Sequence, residues 1–268
     1  MNSDLKINEI ANHNKIKIKK FGFSCDDTDS SIPLPLPQTL NFCMALIGKA
    51  GSGKTTLLLN LVCKHRSKKS SGMYNKKFDR VFVFSPSLTT MKDNPFKSIP
   101  EEQIFQEGLT AENLQGVLDE IEDTGEKVLF IIDDCVNDIT KDTELQRLLC
   151  KVLMNRRHLT GEGGGVSIMI TSQVYNKLPC PVRKCFSHIF LLNSKQRREL
   201  DSLYDEHILI NKPDFYKVLK HTFKDARDFL FLDLQKPYDK MFHRNFNQLN
   251  LKFSDDVESE NENDELKS

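Results

Sequence analysis

The stretch ALIGKAGSGKTTLLLNLV, Ala45 to Val62, decides the fold. Gly48, Gly53, Lys54 and Thr55 fit the pattern G-x-x-x-x-G-K-[ST], and the loop Gly48, Lys49, Ala50, Gly51, Ser52, Gly53, Lys54, Thr55, Thr56 stands between an apolar run and a helix-like one. In such a loop the backbone N–H groups and the positive end of the following helix cradle β and γ phosphates. Lys54 then neutralises phosphate oxygens, and the Thr55 hydroxyl is the ligand expected for Mg²⁺. Four defining residues with the right flanks exclude an incidental glycine-rich turn.

Outward from this loop, short apolar runs alternate with helical patterns. The first strand is expected over 41–48, and others over 80–86, 127–134, 166–173, 187–193 and 228–234. Helical spacing of apolar positions fills 55–65, 109–124, 143–158 and 215–226 between them. Near-continuous apolar strands separated by helices predict an α/β fold of the P-loop NTPase kind, RecA-like, with a mostly parallel central sheet covered by helices on both faces.

The chain of 268 residues divides by composition into a polar, basic extension (1–34), one P-loop ATPase domain (35–250) and an acidic tail (251–268). In the extension, Asn14 to Lys20 alternates lysine and isoleucine as an exposed edge strand would, and Pro33 to Pro37 reads as a stiff spacer. Ser254 to Ser268 carries seven acidic residues and one valine, too little apolar area to offset chain entropy, so it is expected to be disordered. Lysine plus arginine equals aspartate plus glutamate at 38 each, so net charge argues neither for nor against a polyanionic partner. The seven scattered cysteines lack C-x-x-C spacing and read as reduced thiols in a reducing compartment; Cys180, Cys185 and His188 lack a fourth ligand and are assigned no metal. No apolar run approaches the roughly 20 residues that span a bilayer, and the N-terminus is too polar for a secretory signal.

About 80 residues after the loop, LFIIDD places Asp133 and Asp134 at the C-terminal end of a buried strand, the sheet edge where the loop also lies. This is a Walker B pattern: Asp133 would hold Mg²⁺ through its water shell, and Asp134 would polarise the attacking water. MITSQ ends the next strand in Gln173, which can hydrogen-bond the γ-phosphate and the lytic water. Arg156 and Arg157 shortly precede that strand, and an arginine delivered from a neighbouring subunit stabilises charge in phosphoryl transfer. The N-K-x-D at Asn211, Lys212 and Asp214 imitates a guanine-reading motif, but D-x-x-G is missing after the Walker B strand, and Pro213 with Asp214 reads as a helix start.

Taken together, GKAGSGKTT, RVFVFSP, VLFIIDD, RRHLTGEGGGVSIMITSQ and SHIFLL resemble the FtsK-HerA superfamily of ring ATPases, most of all the poxvirus-type genome-packaging ATPases of large DNA viruses, virophages and related transposons. The resemblance covers about residues 38–235. It implies ATP hydrolysis coupled to movement of double-stranded DNA into a capsid by a homo-oligomeric ring, a pentamer or hexamer, docked on a capsid or portal protein. It also implies a viral protein of the infected cell, in a cytoplasmic virus factory or associated with the virion. Arg157 matches the family's trans arginine, Arg156 departs from the usual glycine, and the choice among Arg156, Arg157 and Arg183 stays open. A basic segment, Lys64 to Lys69 with Lys76 and Lys77, suits phosphate contacts. Two other readings are a nucleoside-type P-loop kinase, for which no arginine-rich lid can be placed, and a non-motor DNA-binding or assembly switch.

Overall fold

The computed structural model describes residues 27–63, 72–90 and 94–251. The edge strand expected at 14–20, the basic run 64–69 and the acidic tail from 254 lie outside the described residues. Nine strands form one sheet: β1 (Cys43–Ile47), β2 (Arg80–Phe84), β3 (Ile104–Phe105), β4 (Lys127–Ile132), β5 (Gly165–Ser172), β6 (His188–Leu192), β7 (Phe229–Asp233), β8 (Phe242–Arg244) and β9 (Asn247–Gln248). Their order across the sheet is β3-β2-β4-β5-β1-β6-β7-β8-β9. The six strands from β3 to β6 run parallel, and β7, β8 and β9 add an antiparallel edge.

Strand residues alternate between two apolar layers, as the period of two requires. Cys43, Ala45, Phe82, Phe130 and Ile168 face one layer; Met44, Leu46, Val83, Leu129 and Met169 face the other. The first layer is covered by α2 (Ala111–Ile121), α3 (Val136–Lys141), α4 (Thr143–Asn155), α5 (Cys180–Arg183), α6 (Arg197–His207) and α7 (Lys212–Thr222). The second is covered by one helix, α1 (Lys54–Val62), and by irregular segments carrying Ile32, Leu36, Tyr74 and Phe96. Helices therefore lie on both faces, but unequally.

That imbalance changes the reading of Pro33 to Pro37. The segment is a lid over the second layer: Leu36 is buried, Ile32 beside it is buried, and Tyr74 Oη donates to Pro37 O at 3.0 Å. A spacer would bury nothing. The N-K-x-D imitation is likewise settled by local chemistry, since Asn211 N-caps α7 by accepting from Asp214 N at 2.9 Å. Lys212 pairs with Asp201 at 2.6 Å.

Leu36→Ala should lower unfolding stability by about 2–5 kcal/mol, the cost of a large-to-small change in a packed core. Urea unfolding followed by far-UV circular dichroism measures it; a loss near zero would restore the spacer reading.

Candidate nucleotide site

The parallel strands deliver their C-terminal ends to one edge of the sheet, and the loop 48–56 begins there, where β1 ends. Gly48 N–H donates to Ser172 O of β5 at 3.0 Å. A Cβ on Gly48 would stand 2.7 Å from Ser52 Oγ and 2.9 Å from Leu192 Cβ, so this position admits no side chain. Gly53, the N-cap of α1, has φ of 100°, a conformation glycine takes without penalty.

Helix α1 begins with no capping side chain and no acidic residue in its first turn. Its leading N–H groups lack intrahelical partners and its dipole end is positive, the arrangement that binds anions. Ser52 Oγ is buried without a hydrogen-bond partner, a second polar group in the loop left for a ligand. Lys54 Nζ donates to Gly48 O at 2.6 Å and Lys49 O at 3.2 Å. Burial pushes the Lys54 pKa down, while the charges of Asp134 and Asp133 act to raise it. The loop thus offers an anion a positive pole, a lysine and an unpaired hydroxyl. Thr55 is half-buried at the second helical position and Thr56 is exposed.

β4 ends two strands away from β1, with β5 between them, so the polar end of β5 falls between loop and aspartates. Asp133 is 4% exposed, and hydroxyls hold its carboxylate: Thr171 Oγ1 donates to Oδ1 at 2.7 Å, and Ser85 and Ser87 donate to Oδ2 at 3.0 and 3.3 Å. Asp134 is exposed and left-handed, with φ of 59°. Left-handed backbone at a non-glycine residue costs of order 1–3 kcal/mol and gathers at functional sites. Its N–H donates to the same Thr171 hydroxyl at 3.1 Å. Gln173 Nε2 lies 3.3 and 3.4 Å from the two Asp134 oxygens. Lys54, Asp133, Asp134 and Gln173 are thereby gathered at one edge.

Arg156 and Arg157 are not in this group. They precede β5, at the opposite edge: Val166 N–H donates to Arg156 O, and six residues of strand, about 20 Å, separate Val166 from Ser172. Arg156 donates through Nε to Asn41 O at 2.6 Å and through a terminal nitrogen to Leu153 O at 2.7 Å. Arg183 pairs with Glu206 at 2.9 Å and lies 5.0 Å from the Tyr175 ring centroid. Lys77 pairs with Asp29 at 2.7 Å.

Three groups at the site escaped the sequence reading. Thr171 and Ser85 sit inside quoted motifs, yet their part depends on β2, β4 and β5 lying side by side. The third is the connection from β6 to α6, where Lys195, Arg197 and Arg198 are exposed. Leu192, which leads into it, packs against Gly48.

Fold and loop define the class: the fold is that of P-loop NTPases, and the loop presents its donors as such a loop does to phosphate. The NACHT domain model matches residues 43–173, from the first residue of β1 to Gln173. Comparison with curated proteins gives no match. Among solved structures, the genome packaging NTPase B204 from Sulfolobus turreted icosahedral virus 2 with sulfate is similar, at 12% identity over 79% of this chain and 98% of that one, TM-score 0.49. Its complex with ATP-gammaS is 12% identical over 78% and 99%, TM-score 0.48. The pCW3 conjugation coupling protein TcpA with ATPgS is 11% identical over 80% of this chain and 62% of that one, TM-score 0.47. The resemblance to the FtsK-HerA superfamily itself is carried by the sequence motifs. No helix among the described residues is long and apolar enough to cross a membrane.

Thr171→Val keeps shape but strands the Asp134 N–H and one Asp133 oxygen. It should cost about 1–3 kcal/mol of stability and slow hydrolysis while sparing nucleotide binding. Turnover of ATP beside binding of a non-hydrolysable analogue checks this; equal turnover would remove Thr171 from the site.

Proposed function

We propose that this chain is an ATP-hydrolysing motor that moves double-stranded DNA into a viral capsid, acting as a homo-oligomeric ring with an arginine supplied in trans. The observation that carries the oligomer is the placement of Arg156 and Arg157 at the sheet edge opposite their own phosphate loop. An arginine there serves phosphoryl transfer only across a subunit boundary, at a neighbour's nucleotide. Arg157 takes that role because it matches the family position.

In the hydrolytic step, loop amides and Lys54 bind the phosphates. Mg²⁺, which supplies neutralisation of charge developing on phosphate oxygens, would be held by the Thr55 hydroxyl and Asp133, oxygen donors of the type this ion takes. Asp134 accepts a proton from the attacking water, and Gln173, beside it, orients that water. The Thr171 hydroxyl fixes the two aspartates relative to each other.

Support for DNA comes from the family resemblance and from the exposed Lys195, Arg197 and Arg198 on the nucleotide edge. Arg197 and Arg198 open α6, where the dipole disfavours cations, and the acidic residue of that turn, Glu199, points inward at 3% exposure. Such a locally unfavourable arrangement is typical of a functional surface. The capsid or portal partner rests on the resemblance alone.

Steady-state hydrolysis with and without long double-stranded DNA, across protein concentrations, tests the proposal. Stimulation by DNA and a rise steeper than linear in protein are expected. DNA-independent, linear turnover would overturn the motor, and turnover only with a small acceptor would mark a kinase. Lys54→Ala should abolish binding or turnover, and Asp134→Asn should spare binding and slow hydrolysis. Arg157→Ala should lower only the assembled rate, and its full retention would move the trans role to Arg156 or Arg183. Reversing Lys195, Arg197 and Arg198 to glutamate should weaken DNA binding and flatten its salt dependence, by up to about 0.9 in log–log slope per lost phosphate contact.

A further inference from the structure

The hydrolytic reading leaves one buried charge unused. Glu199, in the first turn of α6, is 3% exposed, and no ion pair to it is found among the described residues. Removing a carboxylate from water without a cation is costly, so its hydrogen bonds must fix something. Its Oε1 accepts from Tyr175 N–H at 2.6 Å, and its Oε2 accepts from the Ser194 hydroxyl.

These two bonds close a circuit around the nucleotide edge. Gly48, which opens the phosphate loop, donates to Ser172 O. Ser172 Oγ donates to Val174 O at 2.8 Å, bracketing Gln173. Tyr175 follows and is tied to Glu199, Glu199 is tied to Ser194, and Leu192, two residues before Ser194, packs back against Gly48. Gln173 is the exposed member inside this circuit, and its amide faces Asp134.

We propose that Glu199 is a positioning residue that braces the backbone on either side of Gln173 to the β6–α6 connection, so that the Gln173 amide is held at Asp134. The inference rests on the reading that Asp134 and Gln173 handle the lytic water. It follows that turnover depends on the bracing bonds and not on the charge. A glutamine at 199 accepts from Tyr175 N–H through its carbonyl and donates to Ser194 Oγ through its amide, whereas alanine does neither.

The test is ATP hydrolysis by the full chain carrying Glu199→Ala, Glu199→Gln, Ser194→Ala or Gln173→Ala, each with its thermal unfolding midpoint. Glu199→Ala should lower kcat roughly 10- to 100-fold, the scale of a small misplacement. Its KM for ATP should stay within roughly twofold, because phosphate binding is untouched. Glu199→Gln should recover most of the rate, and Ser194→Ala should fall between them. Wild-type kcat in Glu199→Ala, or a Glu199→Gln variant as slow as the alanine one, would overturn the proposal. If Glu199→Ala does not fold, Glu199→Gln and Ser194→Ala still decide it: a folded glutamine variant with a collapsed rate, or a serine variant at full rate, overturns it. Wild-type turnover in Gln173→Ala overturns the reading of Gln173 beneath it, and is distinguished from failure of the brace alone, where Gln173→Ala is slow and Glu199→Ala is not.

Discussion

The nucleotide edge depends on one hydroxyl, that of Thr171, placed between two consecutive aspartates that follow the neighbouring strand β4. It donates to the Asp133 carboxylate and accepts from the Asp134 N–H, so a single oxygen fixes the side chain of one residue and the backbone of the next. This works only in one register, with Ile132 of β4 opposite Ile170 of β5. A slip by one residue would turn Thr171 to the other face. Register here is held by the alternation of apolar residues into two layers, so the core directly sets the geometry of the polar edge.

How much of this was readable beforehand follows from which interactions are local. Strand runs of Val, Ile, Phe and Leu and the phosphate loop are written in consecutive residues, and all six expected strands formed. The two aspartates and Gln173 could be placed at one edge because parallel strands share their C-terminal side. What could not be read are pairings between distant segments: Ser85 and Ser87 with Asp133, or Glu199 with Tyr175. The start of α6 could not be read because Arg197 to His207 is dominated by charged and polar side chains, with Leu200 and Leu203 its buried apolar positions. β8 and β9 are too short to carry a period. The prolines at 33–37 imitate a spacer in composition, and only the sparsely covered second layer explains why they are folded down.

The arginines could be placed before β5 from their position in the chain, but not the groups that each one holds. Arg156 spends its guanidinium on the carbonyls of Asn41 and Leu153, closing the backbone where β1 and β5 begin. Arg183 is absorbed by Glu206 and the Tyr175 ring. These contacts stay within the chain, and none reaches its phosphate loop. The consecutive aspartates therefore lie at one edge of the sheet and the arginine pair at the other.

The loop itself is a stored imbalance. Lys54 is partly buried against Asp133 and Asp134, α1 starts without cap or acid, and the Ser52 hydroxyl has no partner. The uncapped helix start and the Ser52 hydroxyl leave donors unsatisfied, and each costs folding stability. A carboxylate at the start of α1 would relieve that imbalance and close the loop to anions. The glycines exclude that solution: Gly48 has no room for a side chain and Gly53 holds a backbone others resist. The loop therefore keeps its donors for a phosphate, and the energy withheld from folding becomes affinity when one arrives.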